Sequence, residues 1–495
     1  MNKKNTIKMK HILSIDQGTS STRVIIYDEN GIELGIGQKE HSQYYPHEAW
    51  VEHNPLEIKE NVLYTMKVAL QQANLNISDI HSIGITNQRE TIVAWEKDSG
   101  IPLSNAIVWQ CRRTNDIIQQ LKNEDLEGVF KVKTGLVLDS YFSGTKIKWL
   151  IENNENVNQA NKNKTLAVGT IDSWIIKFLS GNHKTDASNA SRTLLYDINK
   201  AEWSSELSEI LGIDPTILPE VHPNATSEPF GTYKGVPIRG VLGDQQAALF
   251  GQNGYNSSEI KTTYGTGNFT LMNLGSNVKI SDKGLLTTVA WQIDKNLTYA
   301  MEGSVFITGA AFQWLRDELQ IINSYAEIDD YSNKIENSGG VYFVPAFVGL
   351  GAPYWDTSAR GTITGLTRGT NKYHIVQATI DSVAYQTQDL LDTLQQSSGL
   401  KLTSMRVDGG LTKSINQMQK QANISQIKIE IPRNIETTAL GAALMAGYNE
   451  IWHDFETLRH INPVETGFEP KISNQIAEKE YDKWKLAVKK SSGWI

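Results

Sequence analysis

The chain has 495 residues, 39% hydrophobic and 21% charged, with a formal net charge of −8. That length exceeds one ordinary core and predicts two or more domains, and the acidic balance argues against nucleic acid or an anionic membrane as main partner, since both require a basic face. The single cysteine, Cys111, excludes an internal disulfide framework and is expected to be an ordinary buried residue in a reducing, cytoplasmic setting.

Taken in order, the basic N-terminus runs into Asp16 too soon to form a signal peptide. Residues 12–28 read as an apolar strand, a turn of glycine and hydroxyl residues, and a second apolar strand. In that turn Gly18 permits a sharp bend and close approach of a ligand. Thr19, Ser20, Ser21 and Thr22 offer hydroxyls and backbone N–H groups to an anion, and Arg23 adds a positive charge. Asp16, at the end of the first strand, is a hard oxygen ligand suited to Mg²⁺ or its waters. A third strand is expected over 32–38. Asn54-Pro55 marks a helix start, with Asn54 as N-cap, Glu57 closing a capping box, and Leu56, Val62, Leu63, Met66, Ala69 and Leu70 as its apolar stripe. Strands follow at 82–86, 91–95 and 106–109, with helices over 113–122 and 146–153, a mixture that reads as α/β.

His47 and His53 stand six apart, which fails the one-face spacing of a helical zinc site. The polar, glycine-containing cluster 251–258 is the best domain boundary and predicts one unit over 1–252 and another over 253–495. Residues 261–272 then repeat the first scheme: strand, Gly/Thr turn, strand. Further on come a strand over 404–407 that runs into Asp408-Gly409-Gly410, a small-residue helix over 437–446 and a charged terminal helix over 475–490. The apolar stretch 341–355 is interrupted by proline and glycine, and 439–446 is too short to span a bilayer, so no stable membrane insertion is expected.

Each Gly/Thr turn alone is also what an ordinary hairpin looks like. The pair, with Asp16 in place, points to phosphate binding by a duplicated fold that closes on a nucleotide. Neither turn fits Gly-x-x-x-x-Gly-Lys-Ser/Thr or opens a long helix as a dinucleotide fingerprint does. Asp244, between an apolar segment and helix-like residues, reads either as a carboxylate stabilised by a helix dipole or as a base for a substrate hydroxyl that also supports Mg²⁺. The turn 86–91 reads either as a charged hairpin tip or as a polyol grip. In the second reading Arg89 donates and Glu90 accepts, as a neutral polyhydroxy ligand requires. Trp109, Tyr141 and Phe269 would wall its carbon side.

Longer stretches carry a resemblance. Residues 141–153 (Tyr-Phe-Ser-Gly-Thr-Lys…), 361–366 (Gly-Thr-Ile-Thr-Gly-Leu) and 374–381 resemble the carbohydrate kinases that share the two-lobed, ribonuclease H-like, actin-like ATPase fold, in which duplicated α/β domains flank a central cleft. Residues 85–91, 105–113 and 243–246 are similar to the glycerol kinases rather than to xylulose, ribulose or gluconate relatives. The resemblance implies ATP:glycerol phosphotransfer with Mg²⁺. Arg89, Glu90, Tyr141, Asp244 and Gln245 would hydrogen-bond glycerol, with Trp109 and Phe269 against its carbons and Asp244 as base. Thr19, Ser20, Ser21 and Arg23 would contact phosphates, Thr266, Gly309, Gln313 and Gly410 would hold ATP or ADP, and Asp16 and Asp244 would support Mg²⁺. It also implies a homodimer or homotetramer. Two departures stand out. Ser414 occupies a position where many relatives carry a nucleotide-contacting asparagine, and 230–237 lacks the histidine phosphorylated in some relatives. Kinases of other small polyols, and a non-catalytic, filament-forming actin-like ATPase, are the competing readings; intact Asp16 and Asp244 argue against the latter.

Overall fold

The structure, a computed structural model, describes residues 9–494. Its frame is two sheets of matching topology. The first has the strand order Gly231–Tyr233, Val236–Gly243, Ile80–Asn87, His11–Gln17, Ser21–Asp28, Glu33–Glu40. The second runs Leu286–Ile293, Asn296–Val305, Asn268–Gly275, Ile260–Tyr264, Ser404–Gly409, Lys428–Pro432, Val464–Phe468. In each, an antiparallel hairpin (His11–Gln17 with Ser21–Asp28; Ile260–Tyr264 with Asn268–Gly275) continues through its first strand into two parallel neighbours. The two Gly/Thr turns therefore occupy equivalent corners of a repeated α/β unit, as the sequence predicts.

The near-continuous apolar runs of the first hairpin are explained by burial on both faces, the usual condition of strands in parallel sheets. Leu13, Ile15, Val24 and Ile26 face one core, shared with helix Pro55–Gln72 and helix Ile171–Ser180. Ile12, Ile25 and Tyr27 face the other way, into a cluster with Leu271 and Ala300 of the second sheet. Between the sheets lie helix Asp244–Gly251 and helix Thr437–Gly447, packed on each other. Their axes come close because glycines meet carbonyls: a Cβ on Gly251 would sit 2.0 Å from the Thr437 oxygen, and one on Gly441 1.9 Å from the Ala247 oxygen. Ser14 Oγ also donates to the Ala439 carbonyl at 2.7 Å, tying the helix to the first sheet. Gly441→Ala is thus expected to destabilise the protein by about 1–3 kcal/mol through overpacking, read as a lower urea midpoint; an unchanged midpoint would contradict the close crossing.

Local expectations meet three corrections. Asn54 caps its helix by accepting from Leu56 N, but Glu57 closes no box; its carboxylate accepts from Ser42 N at 3.0 Å instead. The buried stripe of that helix is Ile58, Val62, Thr65, Met66 and Ala69, while Leu56 and Leu63 turn outward. Thr65 tolerates burial because its hydroxyl donates to the Asn61 carbonyl at 2.7 Å. Residues 86–91 are not a hairpin tip: they carry the chain from the first sheet into a separate four-stranded sheet, and each residue from Thr86 to Thr91 is buried. Cys111 is fully buried, as expected. Among the described residues no helix is long and apolar enough to cross a membrane.

Candidate active site

The register of the first sheet aligns Gln17 with Asn87 and Asn87 with Gly243 on parallel neighbours. The loops that leave these carboxyl ends carry Thr19, Arg89-Glu90 and Asp244, so three separate parts of the sequence converge where open α/β sheets place their ligands. Across from them, the pairs Thr263↔Phe269 and Leu271↔Glu302 put Lys261, Thr263, Phe269 and Glu302 on one face of the second sheet. A cavity of about 160 Å³ lies between, lined by Thr19, Arg89, Glu90, Trp109, Tyr141, Asp244, Gln245 and Phe269. It brings together every residue expected to hold the acceptor.

Its polar floor is an alternating chain of charges. Glu302 takes the Arg89 fork with both oxygens, Nη1 at 2.5 Å and Nη2 at 3.1 Å. Arg192 Nη2 donates to the same carboxylate at 3.0 Å, and its Nε donates to Glu90 at 2.6 Å. At the near end Arg89 Nε stands 3.2 Å from Asp244 Oδ1. Burial would protonate Glu302, but Arg192 and Arg89 outweigh it and hold the carboxyl down at about 2. Glu90 sits in the left-handed region at φ 60°, a strained conformation for a side chain of that size. Sequence reasoning missed Glu302 and Arg192. The available signal was a lone carboxylate inside the apolar strand Asn296–Val305 and a lone arginine among the small residues after Asp186.

Asp244 is the first residue of helix Asp244–Gly251, with Gly243 extended before it. Burial raises its carboxyl above the ordinary range, opposed by Arg89, by the N–H of Gln245 on Oδ1 at 2.7 Å, and by Lys261. Enclosure is incomplete: 30% of the side chain remains open to the cavity. Asp16 is pushed up to about 7, first by burial and then by the charges of Asp244 and Glu436, with Arg23 pulling the other way. Lys261, wholly buried, is lowered to about 8 by burial against the opposing pull of Asp408, Asp244 and Glu302.

The aromatic wall is set by two contacts. Trp109 stands edge-on to Tyr141 with ring centroids 5.5 Å apart. Its indole N–H donates to Thr19 Oγ1 at 2.9 Å and so joins the cavity wall to the first Gly/Thr turn. That turn is closed by Gly18 N on the Ser21 carbonyl at 2.9 Å. Asp16, Ser20, Ser21 and Arg23 line neither this cavity nor the next. Arg23 is paired with Glu436, and Ser21 Oγ accepts from Gln38 Nε2 at 3.3 Å.

A second cavity, about 610 Å³, opens at the carboxyl ends of the paired strands Ile260–Tyr264 and Ser404–Gly409. Thr266, Gly309, Gln313, Gly410 and Ser414 all line it, together with Tyr325, Asp329 and Lys413, which the sequence did not single out. Ser414 also caps helix Ile415–Ser425 by accepting from Gln417 N at 3.1 Å, and its hydroxyl donates to Asp329. His53, by contrast, is spent on Gln43, at 2.7 Å.

The chain is similar to known proteins along nearly its whole length. The model of the FGGY family of carbohydrate kinases matches in two parts, the N-terminal domain over residues 11–251 and the C-terminal domain over 260–450. A glycerol kinase of Halothermothrix orenii is 50% identical over 493 residues, covering 98% of this chain and 99% of that protein. The crystal structure of Plasmodium falciparum glycerol kinase with ADP superposes with a TM-score of 0.93 at 37% identity, covering 98% of each chain. A xylulose kinase of Lactobacillus acidophilus, at 23% identity and a TM-score of 0.86 over 97% of each chain, shares the fold. The repeated sheets, with the helices between them, are the two-domain actin-like ATPase architecture of sugar kinases. The chain belongs to the FGGY family of carbohydrate kinases.

Proposed function

We propose that the chain is an ATP:glycerol 3-phosphotransferase. It transfers the γ-phosphoryl group of ATP to a terminal hydroxyl of glycerol, giving sn-glycerol 3-phosphate and ADP, the first step of glycerol catabolism. The observation that carries this reading is the convergence of Arg89, Glu90, Trp109, Tyr141, Asp244, Gln245 and Phe269 on one small cavity, in a chain 50% identical to a glycerol kinase over nearly its full length.

Phosphoryl transfer has a loose transition state, so positioning and charge neutralisation dominate over covalent chemistry. Glycerol lies with its carbons against Trp109 and Phe269 and its hydroxyls on Arg89, Glu90, Tyr141, Asp244 and Gln245. Arg89 and the Gln245 N–H both fall on Asp244 Oδ1, which leaves Oδ2 to accept the proton of the attacking hydroxyl late in the transfer. The nucleotide occupies the larger cavity on Thr266, Gly309, Gln313, Gly410 and Ser414. Its phosphates reach toward Thr19, Ser20, Ser21 and Arg23, and Arg23 exchanges Glu436 for phosphate. The lobes 1–252 and 253–495 close over both ligands and exclude water, which would otherwise take the phosphoryl group.

Mg²⁺ fits the residues present. Among the described residues no group of three or more His, Cys, Asp or Glu could hold a metal ion. Magnesium, however, is usually held by one or two carboxylates with waters and substrate phosphates. The charge of Asp244 adds to the burial that raises Asp16, the environment a divalent cation relieves. Bound there, Mg²⁺ would neutralise phosphate charge. Chelation with EDTA is expected to abolish turnover and added Mg²⁺ to restore it; turnover undiminished by EDTA would remove the metal from the scheme. We place the enzyme in the cytoplasm as a homodimer or homotetramer, with no role for nucleic acid. An acceptor panel at fixed MgATP tests the substrate: glycerol is expected to give the highest kcat/KM against dihydroxyacetone, glyceraldehyde and xylulose. Preference for any of these would overturn the reading of Arg89, Glu90 and Trp109.

A further inference from the structure

Lys261 is a buried cation that the mechanism above does not use. It lies on strand Ile260–Tyr264 and is fully enclosed, and it lines neither cavity. Its Nζ is 2.5 Å from Gln245 Oε1 and 3.0 Å from Thr263 Oγ1. We propose that Lys261 is a positioning residue that sets the hydrogen-bond polarity of the acceptor site, by holding the Gln245 amide with its NH₂ group toward the cavity. The inference rests on reading that cavity as the glycerol site.

An ammonium group has donors only, so the Gln245 atom that meets it must be the carbonyl oxygen. The amide nitrogen is then the group left for the cavity that Gln245 lines, and it donates to none of the described residues. With the amide so fixed, the cavity presents two carboxylates, Glu90 and Asp244, and two groups that only donate, the Arg89 guanidinium and the Gln245 NH₂, beside the Tyr141 hydroxyl, which serves in either sense. Every hydroxyl both gives and takes a hydrogen bond, so two acceptor–donor pairs serve two hydroxyl groups. Were the amide reversed, three groups that only accept would face one that only donates, and the Tyr141 hydroxyl alone could not restore the balance. A site with matched pairs selects a polyol and rejects an analogue that leaves its buried groups unpartnered.

The test is a double-mutant cycle on glycerol turnover with MgATP, using Lys261→Met, Gln245→Leu and the double variant. Lys261→Met is expected to raise the glycerol KM about tenfold, the loss of roughly one hydrogen bond, with kcat within about threefold and the MgATP KM unchanged. The double variant is expected to be no worse than Gln245→Leu alone, because Lys261 acts through that amide. An unchanged glycerol KM, a fall confined to kcat, or effects that multiply in the double variant would each overturn the proposal. Gln245→Glu keeps an oxygen for Lys261 and removes the donor, so it serves if Lys261→Met does not fold. It is expected to keep the melting temperature and raise the glycerol KM about tenfold; an unchanged KM overturns the proposal equally. The wild-type enzyme separates this from the larger reading: if it fails to phosphorylate glycerol, the acceptor assignment has failed, whatever the variants do.

Discussion

Asp244→Asn is expected to fold and to bind both substrates, yet to lose about 10³-fold or more in kcat, the scale of a positioned general base in a transfer step. The substitution is nearly isosteric. Asparagine keeps an oxygen for Arg89 Nε and for the Gln245 N–H, which both fall on Asp244 Oδ1, and it removes only the oxygen that would take the proton. Arg89 does not become an orphan, because Glu302 still holds its fork at 2.5 and 3.1 Å. Burial raises the Asp244 carboxyl, so taking the charge away carries no stability cost of its own. Steady-state kinetics beside a thermal melt checks both halves. Near-normal turnover would remove Asp244 as the base, and a collapsed melt would assign it to the fold instead.

Glu302→Ala has the opposite profile. Its carboxylate neutralises Arg89 and Arg192, which are 2% and 0% exposed. Truncation leaves two buried guanidinium groups facing one another, with Glu90 between them and the partly open Asp244 at the near end of Arg89 as the remaining anions. Removing one partner of a buried ion pair costs about 3–5 kcal/mol, mostly the penalty of the charge left behind. The expected result is an unfolding free energy, measured by urea titration, lowered by that amount together with weakened glycerol binding, since Arg89 loses the anchor that aims it. An unfolding free energy within about 1 kcal/mol of wild type would contradict the view that the charge chain is the floor of the site. The pair of experiments separates a residue that acts on the substrate from one that acts on the residues around it.

The two profiles also mark what was legible in the sequence. Asp16, Thr19, Arg89-Glu90, Asp244 and the Gly/Thr turn at 265–267 sit in short contiguous patterns whose local chemistry is readable. The duplicated sheet was legible because both hairpins write the same strand–turn–strand pattern. Glu302 and Arg192 were not legible, because each matters only through a partner far away: Arg89 and Glu302 are 213 positions apart, and Arg192 and Glu302 are 110. Lys261 is hidden for the same reason, since its meaning lies in a carbonyl on a helix that precedes its strand. The misread turn 86–91 has a related cause. Its charged residues look solvent-facing, and only the Glu302–Arg192 pair makes their burial possible. The missing capping box at Glu57 is a tertiary override, because Ser42 supplies a better-placed donor.

The most direct test of the central claim is to follow the phosphorus. Purified protein is mixed with MgATP, with and without glycerol, and phosphorylated products are identified by ³¹P NMR while ADP is counted. The account predicts ADP formed only when glycerol is present and matched one-for-one by sn-glycerol 3-phosphate. ADP released equally without glycerol, accompanied by free phosphate, would contradict it.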